Sequence, residues 1–152
     1  MNVDHVAPRG PRAPGLLVVA DAHRLPFGDG AFAGALAKDV LEHVEDPIGV
    51  LEELRRTTRP GGRLVVVVPR AIPRAVWDDP THVRRFTERA LGTALRLSGW
   101  SPSGSIRRLG GFPGADRLGL VPHLETLMRI PGLGHWFGLN WVARATSTDR
   151  TT

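Results

Sequence analysis

Two carboxylates and one amine stand where short apolar runs end. Asp4 follows Asn2-Val3, Asp21 follows the run Leu16 to Ala20, and Lys38 follows Phe32 to Ala37. Read as parallel strands of an open α/β sheet, these runs put all three residues at carboxyl ends, outside which such sheets bind their ligands. A carboxylate there can accept two hydroxyl donors at once. The plainer alternatives are a solvated terminal residue for Asp4 and a strand-end turn former for Asp21. His43 and His82 carry imidazoles that exchange a proton near neutral pH; the plainer alternatives are an interior, hydrogen-bonded histidine that packs its loop for His43 and a loop-stabilising one for His82. Asp39 and Glu42 are further proton acceptors that nothing in the spacing singles out. There is no cysteine, and no spaced set of His, Asp and Glu, so the sequence implies no metal.

The elements that must hold these groups can be read from punctuation and period. Leu16 to Ala20 is bounded by Gly15 and Asp21 and reads as a buried parallel strand. Ahead of it lies a breaker-rich loop, Ala7 to Gly15, with three prolines. Asp21 to Gly30 is a loop, and Phe32 to Ala37 a strand weakened by Gly34. Asp46 is a suitable N-cap and Pro47 suits the first helical position. Ile48, Leu51, Leu54 and Thr58 then recur at helical spacing, with Glu52 and Arg56 paired outside and Pro60-Gly61-Gly62 as the stop. Leu64 to Val68 is an apolar strand with four β-branched residues, closed by Pro69. Thr87 caps a second helix to Ser98, whose inward face is Leu91, Ala94, Leu95 and Ser98, and Gly99 ends it. Ser105 to Leu109 and Leu139 to Ala145 complete the strands, with residues 147–152 expected to form a disordered tail. Strands alternating with helices predict a doubly wound, mostly parallel sheet in a single domain, residues 1–146.

Composition narrows the function classes. The formal charge is +5, yet Lys38 is the only lysine and the arginines are scattered apart from pairs such as Arg55-Arg56, Arg84-Arg85 and Arg107-Arg108. No aromatic residues interleave with them, so nucleic acid is not an expected partner. The segment Met1 to Pro14 has no apolar core and does not read as a secretory leader. Leu64 to Val68 is far too short to span a bilayer. Together with the absence of cysteine, this predicts a cytoplasmic protein.

Between Val18 and Pro69 the motifs stand in a specific order. Val19-Ala20-Asp21-Ala22 precedes Leu25-Pro26-Phe27, then Gly28-Asp29-Gly30-Ala31-Phe32, Val40-Leu41-Glu42-His43-Val44, Asp46-Pro47, Leu54-Arg55-Arg56 and Arg59-Pro60-Gly61-Gly62. This stretch resembles the central part of class I S-adenosylmethionine-dependent methyltransferases of the small-molecule and glycan-associated type. The segment Asp79 to Thr87 is similar to one that precedes the fifth helix of that family. The resemblance implies S-adenosylmethionine as cofactor and an incomplete Rossmann-like sheet. It implies that Asp4 accepts the ribose hydroxyls, that Asp21 receives the adenine amino group with the Ala22 backbone N–H facing the ring, and that Lys38 lies beside them. His43 and His82 become the candidates for covering the cofactor, lining the substrate side or acting as a base. Two departures stand out. Ala33 follows Phe32 where many relatives carry Asp, and no G-x-G-x-G precedes Asp4. Those glycines and the helix after them meet the methionine portion of the cofactor. Without the first strand the second and fourth must pair directly or leave ladder groups unmet.

An apolar insert, residues 112–138, separates the last two strands. Within 118–137, Val121, Leu124, Leu127 and Met128 share one helical face, and Leu133, Trp136 and Phe137 follow. It is read either as cover for the surface left open by the missing elements, or a pairing surface for another chain, or as a lid over an apolar substrate resting at a membrane surface. Two functions follow: methyl transfer to a small-molecule or glycan- or lipid-linked acceptor, or a truncated, non-catalytic methyltransferase-like module.

Overall fold

The computed structural model describes residues 2–4, 17–70, 80–110 and 138–148. The expected insert at 112–138, with its apolar face from Val121 to Phe137, lies outside them but for Gly138.

Strand β1 (Asn2–Asp4) pairs in parallel with β2 (Leu17–Val19), and Asp4 stands level with Val19. A second, mixed sheet contains β3 (Phe32–Lys38), β4 (Thr58–Pro69), β7 (Gly138–Ser147) and β5 (Trp100–Pro102) in that order, with β6 (Arg107–Gly110) also paired to β7. The β3–β4 pair is parallel, and everything paired to β7 is antiparallel. Among the described residues β1 and β3 do not pair, and the strands fall into two sheets.

The helices form for local reasons. Helix α1 (Pro47–Thr57) starts on Asp46, whose carboxylate accepts from the Gly49 N–H at 3.0 Å, and Pro47 costs no hydrogen bond in the first turn. Helix α2 (Glu88–Leu97) starts on Thr87, whose hydroxyl accepts from the Ala90 N–H at 3.1 Å. It ends at Gly99, whose φ of +76° suits a residue without a Cβ. Leu91, Ala94, Leu95 and Ser98 are buried as the period predicts.

They pack on the β4 residues Leu64, Val66 and Val68 with Val50, Leu51, Trp100 and Trp141. The indoles satisfy their own donors on the way in. Trp100 Nε1 donates to the Leu51 carbonyl at 2.9 Å and Trp141 Nε1 to the Phe86 carbonyl at 3.1 Å.

Several boundaries differ from the sequence reading. Helix α1 stops at Thr57, and Pro60-Gly61-Gly62 lies inside β4, not at a helix end. Its inward face is Val50, Leu51 and Thr57, with Ile48 and Leu54 only partly buried. Arg56 pairs with Glu53 at 2.7 Å instead of Glu52, one position round the helix, because Glu53 faces the loop that Arg56 also binds. Gly34 stays inside β3 because the Arg63 carbonyl passes where a Cβ would sit, 2.6 Å away. Strand β5 was not apparent as a strand because it is three residues of mixed polarity ending in Pro102. Residues 147 and 148, which the sequence reading placed in the tail, make contacts with the fold. Ser147 is buried in β7 and the Thr148 hydroxyl donates to the Gly99 carbonyl at 2.8 Å.

Candidate functional site

The loop after β2 is built by its own acid. Asp21 Oδ1 accepts from the His23 backbone N–H at 2.9 Å and meets His23 Nδ1 at 3.0 Å, while the Arg24 N–H returns to the Asp21 carbonyl at 3.0 Å. This is the turn-forming role anticipated for an Asp at a strand end. It uses one carboxylate oxygen and leaves the side chain largely exposed. His23 holds Asp21 below the usual carboxylate range through these bonds, and Asp21 in turn raises the imidazole above its ordinary value. His23 Nε2 lies 3.0 Å from the Asp46 carbonyl, which ties the loop after β2 to the cap of α1.

Farther along, the same loop is pinned by Arg56. Its guanidinium donates to the carbonyls of Leu25 and Phe27 and to Asp29 and Glu53, all within 3.1 Å. Glu53 completes the set by accepting from the Leu25 N–H at 2.7 Å. Loop 21–30 is thus held by a charge-assisted network that α1 supplies.

Beyond β3 the chain turns sharply. Asp39 has φ of +52°, a left-handed conformation that Asp tolerates better than most residues, and its N–H donates to the Val67 carbonyl at 3.0 Å. Lys38 reaches Asp39 at 3.0 Å and remains exposed. A short 3₁₀ turn, Leu41–His43, follows. The His43 and His82 rings meet edge to face, their centroids 4.7 Å apart. His43 Nδ1 is 2.9 Å from the Thr81 hydroxyl and 3.3 Å from its carbonyl.

The structure thus gathers the expected residues into two groups. Asp21 and Ala22 lie at the end of β2, level with the end of β1 where Asp4 stands; Ala22 packs partly against the core. Lys38 ends β3, and His43 and His82 lie beyond it. The contact between His23 and Asp46 joins the two loops. Sequence reasoning passed over His23, whose signal was its place two residues after an acid. It named Glu42 only as a proton acceptor that nothing singled out, although this side chain is 1% exposed. Burial pushes its carboxyl pKa up, with Asp39 adding to the effect, and its own backbone amide and the two imidazoles pull the other way.

Residues 3–66 match the family described as a methyltransferase domain. The demethylmenaquinone methyltransferase of Mycobacterium bovis is 47% identical over 124 residues, 82% of this chain and 50% of that protein. Its counterpart in Mycolicibacterium paratuberculosis is 32% identical over 125 residues, with the same two shares of 82% and 50%. A crystal structure of Burkholderia thailandensis 1,6-didemethyltoxoflavin-N1-methyltransferase with bound 1,6-didemethyltoxoflavin and S-adenosylhomocysteine superposes with a TM-score of 0.60 at 21% identity, covering 97% of this chain and 60% of that one. This chain has the class I methyltransferase fold. It spans half or less of the length of the curated relatives it matches first. The methyltransferase match covers β1 to most of β4, the part that carries Asp4, Asp21, Lys38 and His43. No helix among the described residues is long and apolar enough to cross a membrane.

Proposed function

We propose that this chain binds the nucleoside part of S-adenosylmethionine at the ends of β1 and β2 and serves methyl transfer to a small-molecule acceptor. When bound, the cofactor supplies the electrophilic methyl group. The carrying observation is the parallel β1–β2 register, which brings Asp4 and the Asp21 turn to the same end of one sheet. Asp4 takes the ribose hydroxyls and the exposed second oxygen of Asp21 takes the adenine amino group, with the Ala22 N–H beside it. Lys38 flanks the site. Where the acceptor must lose a proton, His43 and His82 are the groups that take it. The names of the mycobacterial relatives support an acceptor such as demethylmenaquinone.

A second reading, a non-catalytic methyltransferase-like module, is favoured by one observation. Among the described residues, the β1–β2 pair and β3 belong to separate sheets. One experiment addresses both readings. S-adenosylhomocysteine is titrated into the isotope-labelled chain, and amide shifts are expected at Asp4, Asp21, Ala22 and Lys38, lost in Asp21→Ala. Shifts elsewhere, or none at saturating ligand, overturn the binding site. Labelled methyl transfer to demethylmenaquinone by the same chain supports the enzyme; binding without transfer to any small acceptor supports the module.

A further inference from the structure

Glu42, His43 and His82 each offer one ligand atom, and these atoms lie within 4.8 Å of one another. Chain order kept this hidden, since His82 arrives from beyond β4. The buried carboxylate is the decisive member. Neither oxygen of Glu42 has a hydrogen-bond partner, although the side chain is 1% exposed. A carboxylate in that position is costly unless it is neutralised, paired or ligating. No arginine or lysine among the described residues pairs with it; what faces it are two imidazoles.

The segments that carry the three groups are clamped together. The N–H groups of Val83 and Arg84 both donate to the Glu42 carbonyl, at 2.9 and 3.1 Å. The Arg84 guanidinium reaches back to the carbonyls of Val44 and Glu45. Thr81 engages His43 through Nδ1, leaving Nε2 as the nitrogen that can ligate. Metal-binding imidazoles are commonly oriented in this way, by an acceptor on their other nitrogen.

We propose that Glu42, His43 and His82 form a binding site for a divalent transition-metal cation of the Zn²⁺ class. Two imidazole nitrogens and one carboxylate oxygen suit such an ion, whereas Mg²⁺ and Ca²⁺ prefer all-oxygen sets. Bonds of about 2.0–2.2 Å hold ligand atoms of a tetrahedral ion roughly 3.4 Å apart. Small rotations of His43 and His82, the less buried members, bring the set to that spacing. Three protein ligands leave an open position, and the site lies beyond the carboxyl end of a parallel strand, where small molecules bind in such sheets. A bound ion would occupy the imidazole lone pairs, so the proton-accepting role proposed for His43 and His82 belongs to the metal-free site. The proposal does not depend on the methyl-transfer reading, because its test reads metal alone.

The full chain, stripped with chelator, is titrated with zinc chloride by calorimetry and with cobalt chloride by visible absorption. One equivalent with micromolar or tighter affinity is expected, along with cobalt d–d bands of a nitrogen–oxygen site and a rise in thermal midpoint with zinc. Glu42→Gln and His82→Asn each weaken uptake by at least about tenfold, while His23→Asn leaves it unchanged. Should Glu42→Gln fail to fold by circular dichroism, His82→Asn on its surface loop carries the test by itself. The proposal is overturned by no uptake at millimolar zinc, by wild-type affinity in His82→Asn, or by magnesium binding as tightly as zinc.

Discussion

At the scale of single residues, the two partners of the Asp21–His23 contact respond oppositely to pH. The Asp21–His23 contact has a raised imidazole pKa and a lowered carboxyl pKa. The histidine's share of loop stability is complete below its unfolded value of about 6.5 and is lost as pH rises through its higher folded value. The aspartate's share is present above its unfolded value of about 3.9 and disappears as pH falls through its lower folded one. The loop is therefore most ordered between mildly acidic pH and neutrality. A histidine NMR titration should show His23 above its ordinary value, and Asp21→Asn should lower it. An unchanged value in that variant would mean the contact is not formed in solution.

At the scale of elements, loop 21–30 and helix α2 depend on different forces. The loop is held to α1 by the Arg56 network, so Arg56→Met should strip hydrogen-exchange protection from the amides of Leu25 and Gly30, which donate to Glu53 and to the Arg56 carbonyl. Protection in the body of α2 should stay as it was. Helix α2 is held by burial. Leu95 is completely buried, and Leu95→Ala should cost about 2–5 kcal/mol in urea unfolding. Removing the cap with Thr87→Ala should cost only about 1 kcal/mol, since one backbone donor is released to solvent. A cap cost as large as the leucine cost would mean that α2 is organised by its ends and not by its apolar face.

For the whole molecule, the split sheet is the main constraint on binding. Strand β3 pairs on one side only among the described residues, and Leu36 on it is 64% exposed. An exposed apolar side chain on an unpaired edge attracts hydrophobic dyes and other strands. The residues proposed for the cofactor, Asp4, Asp21, Ala22 and Lys38, would meet its nucleoside half. We expect calorimetry with the 152-residue chain to find S-adenosylmethionine bound weakly, in the millimolar range. Micromolar affinity would show that other residues do the work of a glycine-rich loop.

The local order of this protein is carried by short-range chemistry, and so it is legible in the chain. The caps Asp46 and Thr87, the stop at Gly99, the apolar run Leu64 to Val68 and the acid at the end of β2 each act over a few residues, where residue type decides the conformation. The motif order from Val19 to Gly62 pointed to the methyltransferase fold for the same reason: each piece is a turn, a cap or a strand end. What depends on distant partners was hidden. Only packing could choose Glu53 over Glu52 for Arg56, carry β4 through Pro60-Gly61-Gly62, or bring three residues of β5 into register with β7. The meeting of Glu42 with His82 belongs here too. No spacing rule links them, because the contact exists only once backbone hydrogen bonds have drawn the segment 81–84 onto the turn after β3. Burial then turns an unremarkable Glu into the least satisfied carboxylate of the site.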